Sequence, residues 1–362
     1  MIGKITISVC IIARNEEDVI ERCINSFKNV ADEIIVVDTG SKDCTRELAI
    51  NSSDKVKVFD FKWCDDFSAA RNFCFSKATK EYSMWADADD LLTEENEKKL
   101  LNLKNNFDKE IDSVTMIYDL AEDDEGNTIS SLRRNRLVKS SRKFLWVGRI
   151  HEYFDVYGKI INADISVKHR KLKASGRRNL RIFEEMIKDN VEFTPRNIFY
   201  YGNELFYNGF YDKAIEQYNR FLDTKQGWVE DIKIALKNRA ECYIKLGDES
   251  GEINSLLEEF KYDVPRCDFC CSIAYYFFRK DRFKEAIFWY KLAFDTAPEK
   301  DSLNLIDHST YTWVPAIQLC VCYSKIGDYD ESNKYNEIAA RYIPNSDMVI
   351  HNRGYLSDKI SK

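Results

Sequence analysis

The apolar residues of this chain change their period once, near Arg177, and that switch limits the folds open to it. Before it, short apolar runs of strand length alternate with helical stretches. After it, helical spacing continues to the end. Alternating strands and helices with nearly continuous apolar strands predict a mostly parallel sheet covered on both faces. Unbroken helical spacing that recurs predicts stacked helix pairs. The expectation is an α/β domain over residues 1–175 and an all-α repeat domain over 176–362. A length of 362 residues agrees with two cores rather than one.

In the first half, Ile5–Ile12 reads as a buried strand, followed by the polar run Arg14-Asn-Glu-Glu-Asp18 and apolar residues at helical spacing through Phe27. Glu33–Asp38 is a second strand that ends in a carboxylate, and Thr39–Asp43 has turn and cap chemistry. Thr45–Asn51 reads as a short helix, Lys55–Phe61 as a third strand and Asp66 to about Thr79 as a helix. Tyr82–Ala86 is a fourth strand, and it delivers Asp87-Ala88-Asp89-Asp90. Consecutive strand residues point to opposite faces, so Asp87 and Asp89 should lie on the same side. Two carboxylates projecting together call for a hard cation such as Mn²⁺ or Mg²⁺ carrying phosphate oxygens. Ligands of such sheets bind at the carboxyl ends of the strands. Arg14 to Glu16, Asp38 and Asp87 to Asp90 all fall there. Neither a G-x-G-x-x-G nor a G-x-x-x-x-G-K-[ST] run is present, which argues against a dinucleotide fold or a P-loop. Ser113–Leu120 and Ser131–Val138 read as strands joined by a turn at Asp123–Gly126. Among Arg133, Arg134 and Arg136, at least one should face solvent.

Composition narrows the function classes. A formal charge of −7 leaves no basic footprint, so nucleic acid is not an expected partner. No apolar run approaches the roughly 20 residues that span a bilayer, and Met1–Val9 lacks the features of a signal peptide. A cytoplasmic protein is expected. The 11 cysteines are scattered in apolar surroundings, which favours reduced core thiols. Cys267-x-x-Cys270-Cys271 lacks a second correctly spaced pair, so core packing is a better reading than zinc.

Four ordered words carry a resemblance: Ser8-Val-Cys-Ile-Ile-Ala-Arg-Asn-Glu-Glu17, Ile34-Ile-Val-Val-Asp-Thr-Gly-Ser-Lys-Asp-Cys-Thr45, Asp66-Phe-Ser-Ala-Ala-Arg-Asn72 and Trp85-Ala-Asp-Ala-Asp-Asp90. Over roughly residues 4–170 the chain resembles the family-2 nucleotide-sugar glycosyltransferases of the GT-A fold. The resemblance implies a nucleotide-diphosphate sugar donor, a UDP-sugar first. It implies that Ala13, Arg14, Glu16 and Asp38 line the nucleoside, and that Arg71, Asp87 and Ala88 contact the donor. Asp89 is then the leading metal ligand, with Asp87 beside it on ribose or metal. A third ligand would be His151 or His169, and the sequence does not rank them. Glu152, in Gly148-Arg-Ile-His-Glu152, would be the base that takes the acceptor proton in an inverting transfer. Ordinary alternatives stand beside these roles: a turn acceptor for Asp38, an ion pair with Asp65 or Asp66 for Arg71, a surface position for Glu152.

The second half recurs at about 34 residues, with small and aromatic residues on paired helices, and looks like tetratricopeptide (TPR) repeats. Tyr201-Gly-Asn-Glu-Leu-Phe with Gly209-Phe-Tyr-Asp-Lys-Ala, and Ala274-Tyr-Tyr-Phe-Phe with Asp281-Arg-Phe-Lys-Glu-Ala, match well; Arg239–Ile253 and Leu319–Ser332 match loosely. Its concave face would take a peptide, or its surface a second copy as a homodimer. An insertion, Glu299–Tyr311, would sit between two units. A transferase domain fused to such repeats resembles bacteriocin peptide glycosyltransferases, which implies a peptide or protein Ser, Thr or Cys acceptor. Envelope-glycan or lipid-linked sugar synthesis is the alternative enzyme. An inactive transferase-like scaffold is the alternative of another class. A nucleotidyltransferase would want a Gly-rich loop with a Lys where Arg14-Asn-Glu-Glu17 stands.

Overall fold

The computed structural model describes residues 2–123, 126–170, 176–264, 266–297 and 305–360. The chain divides into two compact units, Met1–Gly176 and, from Arg177, residues 177–300 with 306–362. The expected boundary at 175, part of the turn at 123–126 and the first residues of the insertion at 299–311 lie outside the described residues.

The main sheet of the first unit runs in the order Val56–Asp60, Glu33–Asp38, Ile7–Ala13, Tyr82–Asp87, Thr128–Lys139, Ser113–Glu122, Ile160–His169, Asp90–Leu91. The first four strands are mutually parallel, as the strand–helix alternation requires. Thr128–Lys139 then runs antiparallel to both of its neighbours. Strand residues alternate between two cores. Val9, Ile11, Ile34 and Val36 join the larger one beside Ile20, Ile24 and Phe27, whereas Cys10, Ile35 and Val37 meet Cys74 on the other face.

Two features escape the apolar pattern. Helix Glu94–Asn105 is mostly polar, and is capped by Thr93, whose hydroxyl accepts from the Asn96 N–H. Strand Asp90–Leu91 has only two residues. It pairs antiparallel with Lys168–His169 at the far end of the strand order, although it starts three residues after Tyr82–Asp87 ends. The sheet therefore curls until its last edge returns to its middle, and His169 comes to lie opposite Asp90.

The second unit opens with helix Arg178–Lys188 and continues as helix pairs: Pro195–Tyr207 with Tyr211–Asp223, Val229–Leu246 with Glu249–Glu258, Cys267–Phe278 with Phe283–Asp295, and Trp313–Lys325 with Tyr329–Ala340. Asp347–Ile360 follows. Close packing dictates small residues. A Cβ at Gly202 would stand 2.9 Å from the Tyr218 ring. Gly247 ends its helix at φ 77°, a left-handed conformation natural to glycine. Cys267, Cys270 and Cys271 are buried against Ala286, Tyr290 and Ala293. Helices Val229–Leu246, Cys267–Phe278 and Trp313–Lys325 line a half-open groove of about 220 Å³, with Ala240, Ile244, Ser272, Tyr275 and Gln318 on its walls. No described helix is long and apolar enough to cross a membrane.

Candidate active site

At the carboxyl edge of the sheet the first two loops are fastened together. The Asn15 N–H donates to Ser41 Oγ at 3.0 Å, and its side-chain carbonyl accepts the Lys42 N–H at 2.8 Å. The Glu16 N–H donates to Thr45 Oγ1 at 2.7 Å, and the Cys44 N–H donates to the Glu17 carboxylate at 3.0 Å. Ala13 pairs in register with Asp38, and Arg14 is exposed. Asp38 Oδ1 accepts from the Gly40 and Ser41 N–H groups, at 3.0 and 2.8 Å, and from the Ser41 hydroxyl at 2.8 Å. This buried carboxylate therefore acts as a turn acceptor. Strand Ile7–Ala13 separates it from Asp87, so the two stand about 10 Å apart on one rim.

The strand stops at Asp87, so strand alternation does not place Asp89; a turn through Ala88 does. Ligand atoms of Asp87, Asp89, Asp90 and His169 still gather within 4.8 Å of one another. His151 is not in this group, and its backbone adopts φ 49°. Each carboxylate has a different partner. Asp87 Oδ1 meets Arg71 Nη2 at 2.7 Å. Asp90 Oδ2 meets Arg136 Nη1 at 2.8 Å, with both side chains fully buried. The Asp89 carboxylate has the His169 Nδ1 at 3.3 Å and, among the described residues, no arginine. Burial pushes the Asp87 carboxyl up, but the Arg71 charge and hydrogen bond outweigh it and hold the group at about 2. Burial pulls the His169 imidazole down, yet hydrogen bonds to Asp89 and Asp90 raise it to about 10.

The Tyr118 hydroxyl lies 2.7 Å from Asp90 Oδ1, 2.8 Å from His169 Nδ1 and 3.1 Å from Asp87 Oδ2. Neither Tyr118 nor the role of Arg136 is legible in the sequence. Leu137 pairs with Val114 but Asn135 pairs with Thr115, so Arg136 is the extra residue of a β-bulge. The bulge turns its guanidinium inward between the rings of Trp85 and Tyr118, 3.6 and 4.4 Å from their centroids. Arg134 is exposed, and Arg133 donates to the Ala163 carbonyl at 2.8 Å.

Helix Phe67–Ser76 joins this turn to the Gly-Arg-Ile-His-Glu segment. Asp66 caps it by accepting the Ala69 N–H at 2.9 Å. Arg71 does not pair with Asp65 or Asp66. Its Nε donates to Glu152 Oε1 at 2.6 Å while Nη2 holds Asp87, so one guanidinium bridges two carboxylates. Glu152 is accordingly not a surface residue; its side chain is 12% exposed. Asn72, unnoticed in the sequence, exchanges both amide hydrogen bonds with the Trp146 backbone, each at 2.9 Å. The Phe67 N–H donates to the Arg149 carbonyl at 2.8 Å.

The family description "Glycosyl transferase family 2" matches residues 8–164. Those residues are a glycosyl transferase family 2 domain. The SPbeta prophage-derived glycosyltransferase SunS of Bacillus subtilis (strain 168) is 30% identical over 264 residues, 70% of this chain and 57% of SunS. A TPR repeat-containing protein of Synechococcus elongatus is 43% identical over 86 residues, 24% of this chain and 21% of that one. Among solved structures, glucosyl-3-phosphoglycerate synthase of Mycobacterium tuberculosis is 25% identical over 32% of this chain and 43% of its own, at a TM-score of 0.27. The chain thus spans little more than half of SunS, and less of the others. Within the family 2 domain, the four sequence words sit on the fastened loops, the Arg71 helix and the acidic turn.

Proposed function

We propose that this chain is a metal-dependent glycosyltransferase. It would move a sugar from a nucleoside-diphosphate donor, a UDP-sugar first, to a peptide or protein side chain with inversion. The single observation that carries this reading is the pairing of the acidic turn. Two of its three carboxylates are matched by buried arginines, and Asp89 is left facing His169 in a family 2 domain.

Carboxylates and one imidazole gathered within 4.8 Å offer the oxygen and nitrogen donors that a hard divalent cation such as Mn²⁺ or Mg²⁺ takes. Asp89 and His169 would hold it, with Asp87 beside them. When bound, the cation would offset the charge of the diphosphate leaving group. Asp38 and the fastened loop Ala13–Glu16 would receive the nucleoside, and Ala88 would border the diphosphate. Arg71 fixes Glu152 through Oε1, which would leave Oε2 to accept the proton of the attacking acceptor group.

Asp89→Ala tests the site. Transfer and donor hydrolysis should fall at least about a hundredfold with an unchanged circular dichroism spectrum; unaltered turnover would reject the assignment. The groove of the second unit supports the peptide acceptor. Ser272→Trp would fill it and should raise the acceptor KM while leaving donor hydrolysis alone. An unchanged KM would turn attention to a glycan or lipid-linked acceptor.

A further inference from the structure

Proximity places Asp90 among the potential ligands, but both of its oxygens are engaged and its side chain is fully buried. Oδ2 receives Arg136 Nη1 at 2.8 Å and the Asp87 N–H at 3.0 Å, and Oδ1 receives the Tyr118 hydroxyl at 2.7 Å and lies 3.5 Å from His169 Nδ1. Asp90 is fully buried, whereas Asp89 keeps an exposed edge. Its strand partner is His169, so whatever fixes Asp90 also fixes the backbone that carries the imidazole.

Arg136 is an expensive way to fix it. The side chain is fully buried, and its Nε and Nη2 have no hydrogen-bond partner among the described residues. Unpaired buried N–H groups on a charged side chain are strongly disfavoured. Apolar residues in place of both Arg136 and Asp90 would carry less desolvation, and such replacement of a whole buried ion pair is often neutral or stabilising. Packing alone does not account for an arginine on a bulge at this point. Its charge does, because it neutralises the one fully buried carboxylate of the turn.

Building on the cation reading above, we infer that Arg136 is a positioning residue that withholds Asp90 from the cation. The ligand set is thereby confined to Asp89 and His169, with Asp87 beside them. Asp90 serves as the anchor of the turn and not as a ligand.

Mn²⁺ binding to the full chain, followed by calorimetry and by electron paramagnetic resonance of the free ion, tests this apart from turnover. In Asp90→Asn the dissociation constant should stay within about twofold of the parent, whereas Asp89→Asn should weaken it about tenfold or more. Arg136→Met frees the Asp90 carboxylate. Mn²⁺ binding should then tighten several-fold while kcat falls, and Arg136→Lys should restore both toward the parent. A purely structural arginine would not produce opposite shifts in metal affinity and turnover. Asp90→Asn weakening Mn²⁺ as much as Asp89→Asn would overturn the inference, and it does so even if Arg136→Met fails to fold. Absence of Mn²⁺ binding by the parent chain would remove the cation reading and this inference with it.

Discussion

Arg71 does at the scale of one side chain what the site needs from several. Its guanidinium lies 4.7 Å from the Trp146 ring centroid and 5.3 Å from that of Trp85, and it ties Asp87 to Glu152. Glu152→Gln keeps an oxygen for Arg71 but removes the proposed base. We expect kcat to fall by about 10²–10⁴-fold, with donor affinity unchanged by titration; an equal loss of both would make Glu152 structural. The sequence words singled out Asp87, Asp89 and Arg71, the Gly148–Glu152 segment added Glu152, and His169 stood unranked beside His151 until the pairing of its strand with Asp90–Leu91 set it by the acidic turn. Tyr118 and Arg136 were hidden for a physical reason. A tyrosine in an apolar strand and an arginine in a polar one look ordinary, and only the bulge and the curl of the sheet bring them to the acidic turn.

At the scale of elements, helix Phe67–Ser76 is the organiser. Its cap, Arg71 and Asn72 face three different partners, which is why the word Asp66–Asn72 is so dense in polar residues. Asn72→Ala would leave a backbone N–H and a carbonyl of Trp146 unanswered. A loss of about 1–3 kcal/mol is expected in urea denaturation, with a matching fall in turnover; an unchanged midpoint would mean that the segment is held elsewhere. The strand periods anticipated the parallel half of the sheet well. They could not anticipate Asp90–Leu91, since two residues have no period, or the polar helix Glu94–Asn105, whose apolar stripe is thin.

For the molecule as a whole, the second unit holds an isolated acid. Glu259 is fully buried and neither of its oxygens has a hydrogen-bond partner among the described residues. Burial pushes its carboxyl up to about 7, against the pull of Lys233. The folded state therefore keeps a proton that the unfolded chain releases near 4.5, and stability contributed at this site falls as pH rises from 4.5 through 7. Glu259→Gln should match the parent near pH 4.5 and exceed it by about 1–3 kcal/mol at pH 8. A variant that gains nothing at pH 8 would show that the acid is solvated. Helix pairs and their turns were readable from glycines and small residues, whereas a buried unpaired acid sits in a polar stretch that reads as surface.

The fastened loops at Asn15–Glu17 and Ser41–Thr45 have an entropic meaning as well. A rim stitched across two turns has already surrendered its conformational freedom during folding, so the nucleotide proposed to bind there would meet a finished berth and forfeit little affinity to ordering it.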